Sequence, residues 1–286
     1  MSRLQIVAVA TILLVATAPL LSQNTPSDRA GGPEQILLQL GPTHARVQLL
    51  AENSALTSGR TNVVGLRFEL EDGWHIYWQN PGDSGAPPKV VWNLSRGLAA
   101  GPLVFPAPQR IRTPTGVNYG YEHEVLLMAP LKVAAATAGD ARLSAVVRYI
   151  VCRDVCVPGT AKLSLRIPVG VGAASSSRQQ FDRAREQVPQ AAPRTWSAAA
   201  RLDRGDLVLT VITGRREDRL DVFPVDVGIV NDGVAPVYEA TEHGVVIRFK
   251  RADPTGKTPP RLSFVIERPN SRPVLVVARV ARSAGG

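Results

Sequence analysis

Alternation of apolar and polar residues dominates the chain and predicts short β-strands. The clearest alternating segments are residues 66–70, 162–167, 245–250 and 262–267. Turn-forming runs rich in Gly, Asn, Asp or Pro separate such segments, as at residues 71–73, 80–85, 231–233 and 253–256. Short strands of period two, separated by frequent turns, are typical of an antiparallel β-sandwich. We therefore predict an all-β protein.

One segment departs from this pattern and predicts a helix. Within residues 176–188, Phe181, Ala184 and Val188 recur at helical spacing, and Pro189 follows directly. A helix between two strand-rich stretches favours a connector between two domains. The predicted organisation is a β-sandwich over residues 33–170, a helical linker over 171–194 and a second, smaller β-domain over 195–286.

The first 22 residues have the pattern of a secretory signal peptide. Arg3 precedes a short apolar run, and the small residues Ala16 and Ala18 suit a cleavage site. The alternative is an uncleaved membrane anchor, although the apolar run is short for a bilayer span. No later segment reaches about 18 uninterrupted apolar residues. We expect an exported protein that does not itself span the membrane after cleavage.

Composition and charge exclude several classes of protein. The chain of 286 residues is 44% apolar, which is enough for one large or two ordinary domains with real cores. Its formal net charge is +9, but the arginines are scattered singly through strand-like segments. Nucleic-acid binders usually cluster basic residues and interleave aromatic ones, so we expect no nucleic-acid partner. The charge indicates a solvated face and some attraction to anionic membrane surfaces.

Motifs for nucleotide binding, hydrolysis and resident metals are absent from the sequence. There is no G-x-G-x-x-G, phosphate loop, G-x-S-x-G or H-E-x-x-H motif. The four histidines, at positions 44, 75, 123 and 243, are far apart, and none stands beside a second ligand at metal spacing. We expect no cofactor and no metal ligand set of this kind.

Three of the four tryptophans, with Tyr77, fall within residues 74–92. In an extended strand Trp74, Ile76 and Trp78 share one face, and His75 and Tyr77 share the other. One interpretation is that the tryptophan face is sandwich core. The other is an aromatic platform for a sugar or a partner peptide, with Trp74, Tyr77 and Trp78 as candidate partner-binding residues.

The two cysteines form the most informative feature of the sequence. Cys152 and Cys156 lie between two alternating strands, predicted over residues 142–151 and 161–167. If these strands form a hairpin, residues 153–155 are its turn, and the cysteines face each other within disulfide range. By loop entropy such a short ring adds about 2 kcal/mol, against about 3 kcal/mol for a 15-residue loop.

Three interpretations of this cysteine pair remain open. It is a redox-active disulfide, a structural one, or a pair of soft-metal ligands, for instance for copper. A short disulfide carried by a turn suits electron exchange better than stabilisation of a fold. Arg153 flanks the first cysteine, and a positive charge there favours a thiolate. Cys156 follows the turn and is therefore expected to be the less enclosed sulfur.

Several motifs, in the same order, resemble the N-terminal periplasmic domain of the DsbD/ScsB class of thiol:disulfide interchange proteins. They are Gly73-Trp74-His75-Ile76-Tyr77-Trp78-Gln79-Asn80-Pro81-Gly82-Asp83-Ser84-Gly85, Phe105-Pro106-Ala107-Pro108, Tyr119-Gly120-Tyr121, and Cys152-x-x-x-Cys156-x-Pro158-Gly159. The resemblance covers roughly residues 35–170, and 195–286 more loosely resemble the second β-domain of the longer ectodomains. It implies an immunoglobulin-like sandwich in the periplasm, whose Cys152–Cys156 pair passes electrons to or from thioredoxin-like partners.

The resemblance also implies a loop that covers the disulfide. Residues 113–121 match its position, so Tyr119, with Gly120 and Tyr121, is the predicted shield. The sequence contains neither the multi-helix membrane domain nor the thioredoxin-like C-x-x-C domain of that class. We therefore expect separate proteins, including a membrane electron transporter, to supply the electrons. The alternatives are a copper-binding or copper-tolerance module that uses the same sulfurs, and a non-catalytic adaptor with an inert disulfide.

Overall fold

The computed structural model describes residues 34–40, 44–114, 116–218 and 220–281. The predicted signal peptide, residues 1–22, lies outside these residues. No helix in the described ranges combines the length and apolarity needed to cross a membrane.

The first half of the chain forms a sandwich of two sheets. Its strands are β1 (Glu34–Leu40), β2 (Ala45–Ala51), β3 (Thr61–Leu70), β4 (His75–Gly82), β5 (Lys89–Leu94), β6 (Leu98–Ala100), β7 (Gln109–Thr113), β8 (Gly116–Glu122), β9 (Glu124–Val133), β10 (Gly139–Cys152) and β11 (Cys156–Val169). One sheet has the order β1-β11-β10-β4-β8-β7, with β5 also paired to β10, and the other has the order β2-β3-β9-β6. All pairings in both sheets are antiparallel.

The alternation seen in the sequence places one face of each sheet in a common core. Leu66 and Phe68 of β3 and Leu143 and Val147 of β10 are all fully buried there. Polar residues between them point outward, so the same pattern that predicts the strands also selects the packed face. The all-β, immunoglobulin-like sandwich is confirmed.

The predicted helix is present as α1 (Arg178–Gln187). Phe181 and Ala184 are buried against Leu50, Leu126 and Met128, which lie on the outer face of the four-stranded sheet. The helical spacing noted in the sequence therefore serves packing onto the sandwich. Helix α1 begins two residues after the predicted start and ends one residue before the predicted end.

The remaining strands form a second β-region. They are β12 (Gln190–Ala191), β13 (Ser197–Asp203), β14 (Asp206–Ile212), β15 (Asp221–Pro224), β16 (Val237–Thr241), β17 (Gly244–Lys250), β18 (Arg261–Glu267) and β19 (Val274–Ala281). Their sheet has the order β15-β18-β19-β13-β14-β17-β16, with β12 beside β19. Pairing is antiparallel except where β12 and β13 run parallel to β19.

The second β-region has its own core and also contributes to the first. Leu209, Ile247 and Phe264 are fully enclosed in the second core. Phe223 of β15 and Val265 of β18 instead belong to the core of the sandwich. The two parts thus share apolar side chains around the end of β4.

A candidate thiol–disulfide site

The cysteines lie at the end of the longest hairpin of the sandwich. Strands β10 and β11 pair residue by residue up to Cys152 opposite Cys156, and residues 153–155 form the turn. The two cysteines are joined by a disulfide, with their Cα atoms 4.2 Å apart. The predicted hairpin and facing pair are therefore present.

The two sulfur-bearing residues have different environments. Cys152 is only 2% exposed, because the end of β10 pairs with His75 of β4. Cys156 follows the turn and is exposed. An incoming thiolate must approach the sulfur it attacks along the S–S axis, so access favours Cys156 as the attacked atom.

A buried tyrosine contacts both sulfurs. The Tyr77 hydroxyl donates a hydrogen bond to Cys152 Sγ at 2.8 Å and lies 3.6 Å from Cys156 Sγ. Tyr77 is fully buried, and burial raises the pKa of its phenol. The hydroxyl therefore keeps its proton at neutral pH and remains a donor.

Three polar side chains lie near this tyrosine on the same face of the sheet. His75 packs edge-on against the Tyr77 ring, and burial lowers the pKa of the imidazole, which keeps it neutral. The Asn118 amide lies 3.5 Å from His75 Nε2. Ser84 donates its hydroxyl proton to Asn118 Oδ1 at 3.0 Å. These residues come from β4, β8 and the segment that follows β4.

Gly85 closes the site over the tyrosine ring. A Cβ built on Gly85 would overlap the Tyr77 ring, and its φ of +86° is one that only glycine adopts easily. The backbone at Gly85 therefore lies directly on the ring. The glycine noted in the sequence as part of a turn signal has this packing role as well.

The structure corrects the predicted shield. In place of a loop over the disulfide, Thr113 is the last residue of β7, and residues 116–121 belong to β8. Tyr119 and Tyr121 point into the sandwich core, on the face of β8 opposite to Asn118 and Gly120. Tyr119 donates its hydroxyl proton to Asp232 at 2.7 Å, and Tyr121 donates to the Pro106 carbonyl oxygen at 2.7 Å.

Gly120, the third predicted shield residue, lies opposite Tyr77 in the β4–β8 register. A Cβ built there would overlap the carbonyl oxygen of Ile76, so glycine permits the close approach of the two strands. Tyr77, which the sequence indicated as a partner-binding residue, is the tyrosine that contacts the sulfurs.

The aromatic platform is corrected too. Tyr77 and Trp78 have no exposed surface, and Trp74 is 5% exposed, because both faces of β4 are covered. Trp74 is stacked on His44, with ring centroids 3.7 Å apart. The interpretation of the tryptophan face as core is the one that the structure supports.

Arg153 does not direct its charge at the first sulfur. Its guanidinium lies over the Trp74 ring at 5.2 Å and pairs with Asp154. The polar atom beside Cys152 is instead the Tyr77 hydroxyl. Its position could not be predicted, because the contact depends on the pairing of β4 with β10, whose cysteine lies 75 residues away along the chain.

Soft-metal ligation would need a different redox state. In the disulfide neither sulfur is a thiolate, which is the form that binds soft metals. Over the described ranges, no group of three or more His, Cys, Asp or Glu side chains is placed to hold a metal ion.

Comparisons with known proteins agree with the geometry. Residues 46–168 match the family described as thiol:disulfide interchange protein DsbD, N-terminal. Among solved structures, the crystal structure of the N-terminal periplasmic domain of ScsB from Proteus mirabilis is similar, with a TM-score of 0.64 and 20% sequence identity. The match covers 85% of this chain and 95% of that one. No curated protein sequence matches the chain.

Proposed function

We propose that the chain relays electrons through Cys152 and Cys156 to or from thioredoxin-like proteins in the periplasm, because residues 46–168 match the DsbD N-terminal family of thiol:disulfide interchange proteins. The observation that carries the proposal is the unequal pair of sulfurs. Cys156 is exposed, whereas Cys152 is buried under the hydroxyl of Tyr77.

Reduction of the disulfide begins at the exposed sulfur. A partner thiolate attacks Cys156 Sγ, the Cys152–Cys156 bond breaks, and a disulfide forms between Cys156 and the partner. Cys152 leaves as a thiolate and receives the hydrogen bond from Tyr77. A second partner thiolate then attacks the partner's own sulfur and releases Cys156, so that the partner is oxidised and this chain is reduced.

Oxidation reverses these steps. The Cys156 thiolate attacks a partner disulfide, and the Cys152 thiolate then attacks Cys156 Sγ and releases the partner's thiol. In both directions Cys152 carries negative charge next to the Tyr77 hydroxyl. Hydrogen bonds to charged groups contribute about 1.5–3 kcal/mol, so the position of this hydroxyl bears directly on the rate.

Titration of the reduction potential tests the proposal against an inert disulfide. The Cys152–Cys156 pair is equilibrated with thiol buffers of known potential, and the reduced fraction is counted by alkylation. We expect a potential above about −300 mV, in the range of disulfides that exchange. A lower value would identify a structural bond and support the adaptor hypothesis.

Periplasmic location is part of the proposal and rests on the sequence of residues 1–22. Expressed from its full sequence in a Gram-negative host, the chain should appear in the periplasmic fraction without its first 18 to 22 residues. Intact-mass analysis checks this. A retained Met1 on a membrane-bound chain would contradict it.

A further inference from the structure

Strand β4 carries an irregular stretch that reaches into the second β-region. Its pairing with β8 shifts register between Tyr77 and Gly82, so the intervening residues bulge away from β8. Trp78 packs edge-on against Phe223 of β15, with ring centroids 6.5 Å apart. Asn80 is 1% exposed, and its amide donates to the Pro224 carbonyl oxygen at 2.8 Å.

The backbone that receives Asn80 is itself held firmly. Val225 donates its N–H to the Ser263 carbonyl oxygen at 2.9 Å. The Ser263 N–H in turn donates to the Asp226 carboxylate at 2.7 Å. The residues after β15 are therefore tied to β18, and they give Asn80 a fixed anchor in the second β-region.

Asn80 connects this anchor in the second β-region to residues 82–85, which lie beside the disulfide. Its side-chain oxygen accepts the N–H of Gly82 at 3.1 Å, while its amide remains on Pro224. Asp83 accepts the N–H of Val117 at 2.7 Å. A Cβ built on Gly233 would lie 3.1 Å from the Asp83 carboxylate, so the second β-region also abuts this side chain.

The anchored segment, residues 80–85, ends at the glycine that covers Tyr77. Gly85 lies on the Tyr77 ring, and Ser84 bonds Asn118, which contacts His75. A chain of contacts therefore runs from β15 through Asn80 and residues 80–85 to the ring whose hydroxyl meets Cys152.

We propose that the second β-region, residues 190–281, is a positioning element for the disulfide, and that Asn80 is the positioning residue through which it fixes the Tyr77 hydroxyl against Cys152. This inference rests on the proposed function, since it concerns the rate of thiol–disulfide exchange. It gives the second β-region a role that does not require any reactive group of its own.

The test compares two buried asparagines in the full chain. Asn80→Ala removes the link to Pro224. Asn62→Ala is the matched control, because Asn62 is also buried and bonds only backbone atoms of Thr57 and Arg60. The measurements are the second-order rate constant for reduction by dithiothreitol, the pKa of the Cys152 thiol in a Cys156→Ser background, and the melting temperature.

Asn80→Ala should slow reduction about fivefold and raise the pKa of the Cys152 thiol, as expected from partial loss of a hydrogen bond to a charged sulfur. Asn62→Ala should lower the melting temperature but leave both the rate and the thiol pKa unchanged. Equal rates for Asn80→Ala, Asn62→Ala and the unaltered chain would overturn the inference. So would equal slowing by both variants, since that reports loss of stability alone.

A second variant covers the case in which Asn80→Ala does not fold. Gly233→Ala places a methyl group against Asp83 from an exposed position with ordinary φ, and should slow reduction about twofold with only a small decrease in melting temperature. An unchanged rate in this variant would then count against the inference.

Tyr77→Phe separates the two proposals. If Tyr77→Phe slows reduction and Asn80→Ala does not, only the positioning role fails. If no variant has any effect and the potential is below about −300 mV, the proposed function fails.

Discussion

At the residue scale, the contacts of Tyr77 distinguish the two sulfurs. Its hydroxyl is 2.8 Å from Cys152 Sγ and 3.6 Å from Cys156 Sγ, so the buried sulfur has the stronger hydrogen bond. A thiolate at Cys152 would otherwise be desolvated without compensation. The donor therefore makes Cys152 the better leaving group, while exposure makes Cys156 the better target.

Replacing Tyr77 by phenylalanine tests this role. Tyr77→Phe should slow reduction by dithiothreitol about tenfold and raise the pKa of the Cys152 thiol, because a hydrogen bond to a charged group is lost. Stopped-flow kinetics and pH-dependent alkylation measure the two effects. Tyr121→Phe is the control, since it removes another buried tyrosine hydrogen bond, to Pro106, on the opposite face of the sheet. Equal rates for the two variants would contradict the role of Tyr77.

At the element scale, local patterns could be predicted, whereas pairing between distant strands could not. The hairpin of β10 and β11 follows from alternation on either side of a three-residue turn, and the prediction is confirmed. The expectation of a loop at residues 113–121 came from the family resemblance, because these residues match the position of the loop that covers the disulfide in that family. In the structure Val117, Tyr119 and Tyr121 alternate along β8, and all three side chains lie on its core face.

The face of β4 that meets the disulfide could not be chosen from the sequence. Alternation separates Trp74 and Trp78 from His75 and Tyr77, but both sets are aromatic. Only the pairing of His75 with Cys152 decides which set lies beside the sulfurs. Aromatic residues on both faces therefore indicated burial without indicating the site.

The segment after β4 gives a prediction at this scale. Gly85→Ala should displace the Tyr77 ring, because the new methyl group would overlap it, and so slow reduction by dithiothreitol severalfold. Gly214→Ala is the control, since Gly214 has the same kind of φ, +85°, but nothing within 4 Å of its Cβ position. Both variants should lose about 1–2 kcal/mol of stability from the unfavourable φ. Slowing in the control alone, or in neither variant, would contradict the packing role of Gly85.

At the scale of the whole molecule, the two β-regions meet in a junction that the sequence did not reveal. Arg110 lies 5.3 Å from the ring centroids of both Tyr119 and Phe223 and donates to the Val222 carbonyl oxygen. Tyr119 bonds Asp232 across the same boundary. The partners on opposite sides of this boundary are separated by more than 100 residues along the chain, so no local pattern connects them. The division into two domains was predicted from the helical segment between two strand-rich stretches, but these contacts were not.

Asp232 makes stability depend on pH. Burial, together with the nearby charge of Asp83, raises its pKa to about 6, although Tyr119 and Arg110 act in the opposite direction. The Asp232 carboxyl group therefore binds its proton more tightly in the folded state than in the unfolded state. The contribution of Asp232 to the free energy of unfolding is greatest below about pH 4, and about 3 kcal/mol of it is lost as the pH rises through about 6.

Asp232→Asn removes this titration. Between pH 4.5 and 7, the variant should lose less stability than the unaltered chain, as measured by urea unfolding at each pH. Asp72→Asn, at a fully exposed side chain, should leave the pH dependence unchanged. Parallel pH profiles for Asp232→Asn and the unaltered chain would contradict the assignment.

Trapping of the mixed disulfide tests the central claim, that Cys156 is attacked and Cys152 resolves. The probe is a thioredoxin whose resolving cysteine is replaced by serine and whose other cysteine carries thionitrobenzoate. A thiolate of the chain attacks the thioredoxin sulfur, releases coloured thionitrobenzoate and leaves a stable mixed disulfide. Cys152→Ser, which keeps Cys156, should form this species at least about ten times faster than Cys156→Ser, which keeps the buried cysteine. Equal rates, or a faster Cys156→Ser, would contradict the assigned roles, and no mixed disulfide with either variant would contradict the relay itself.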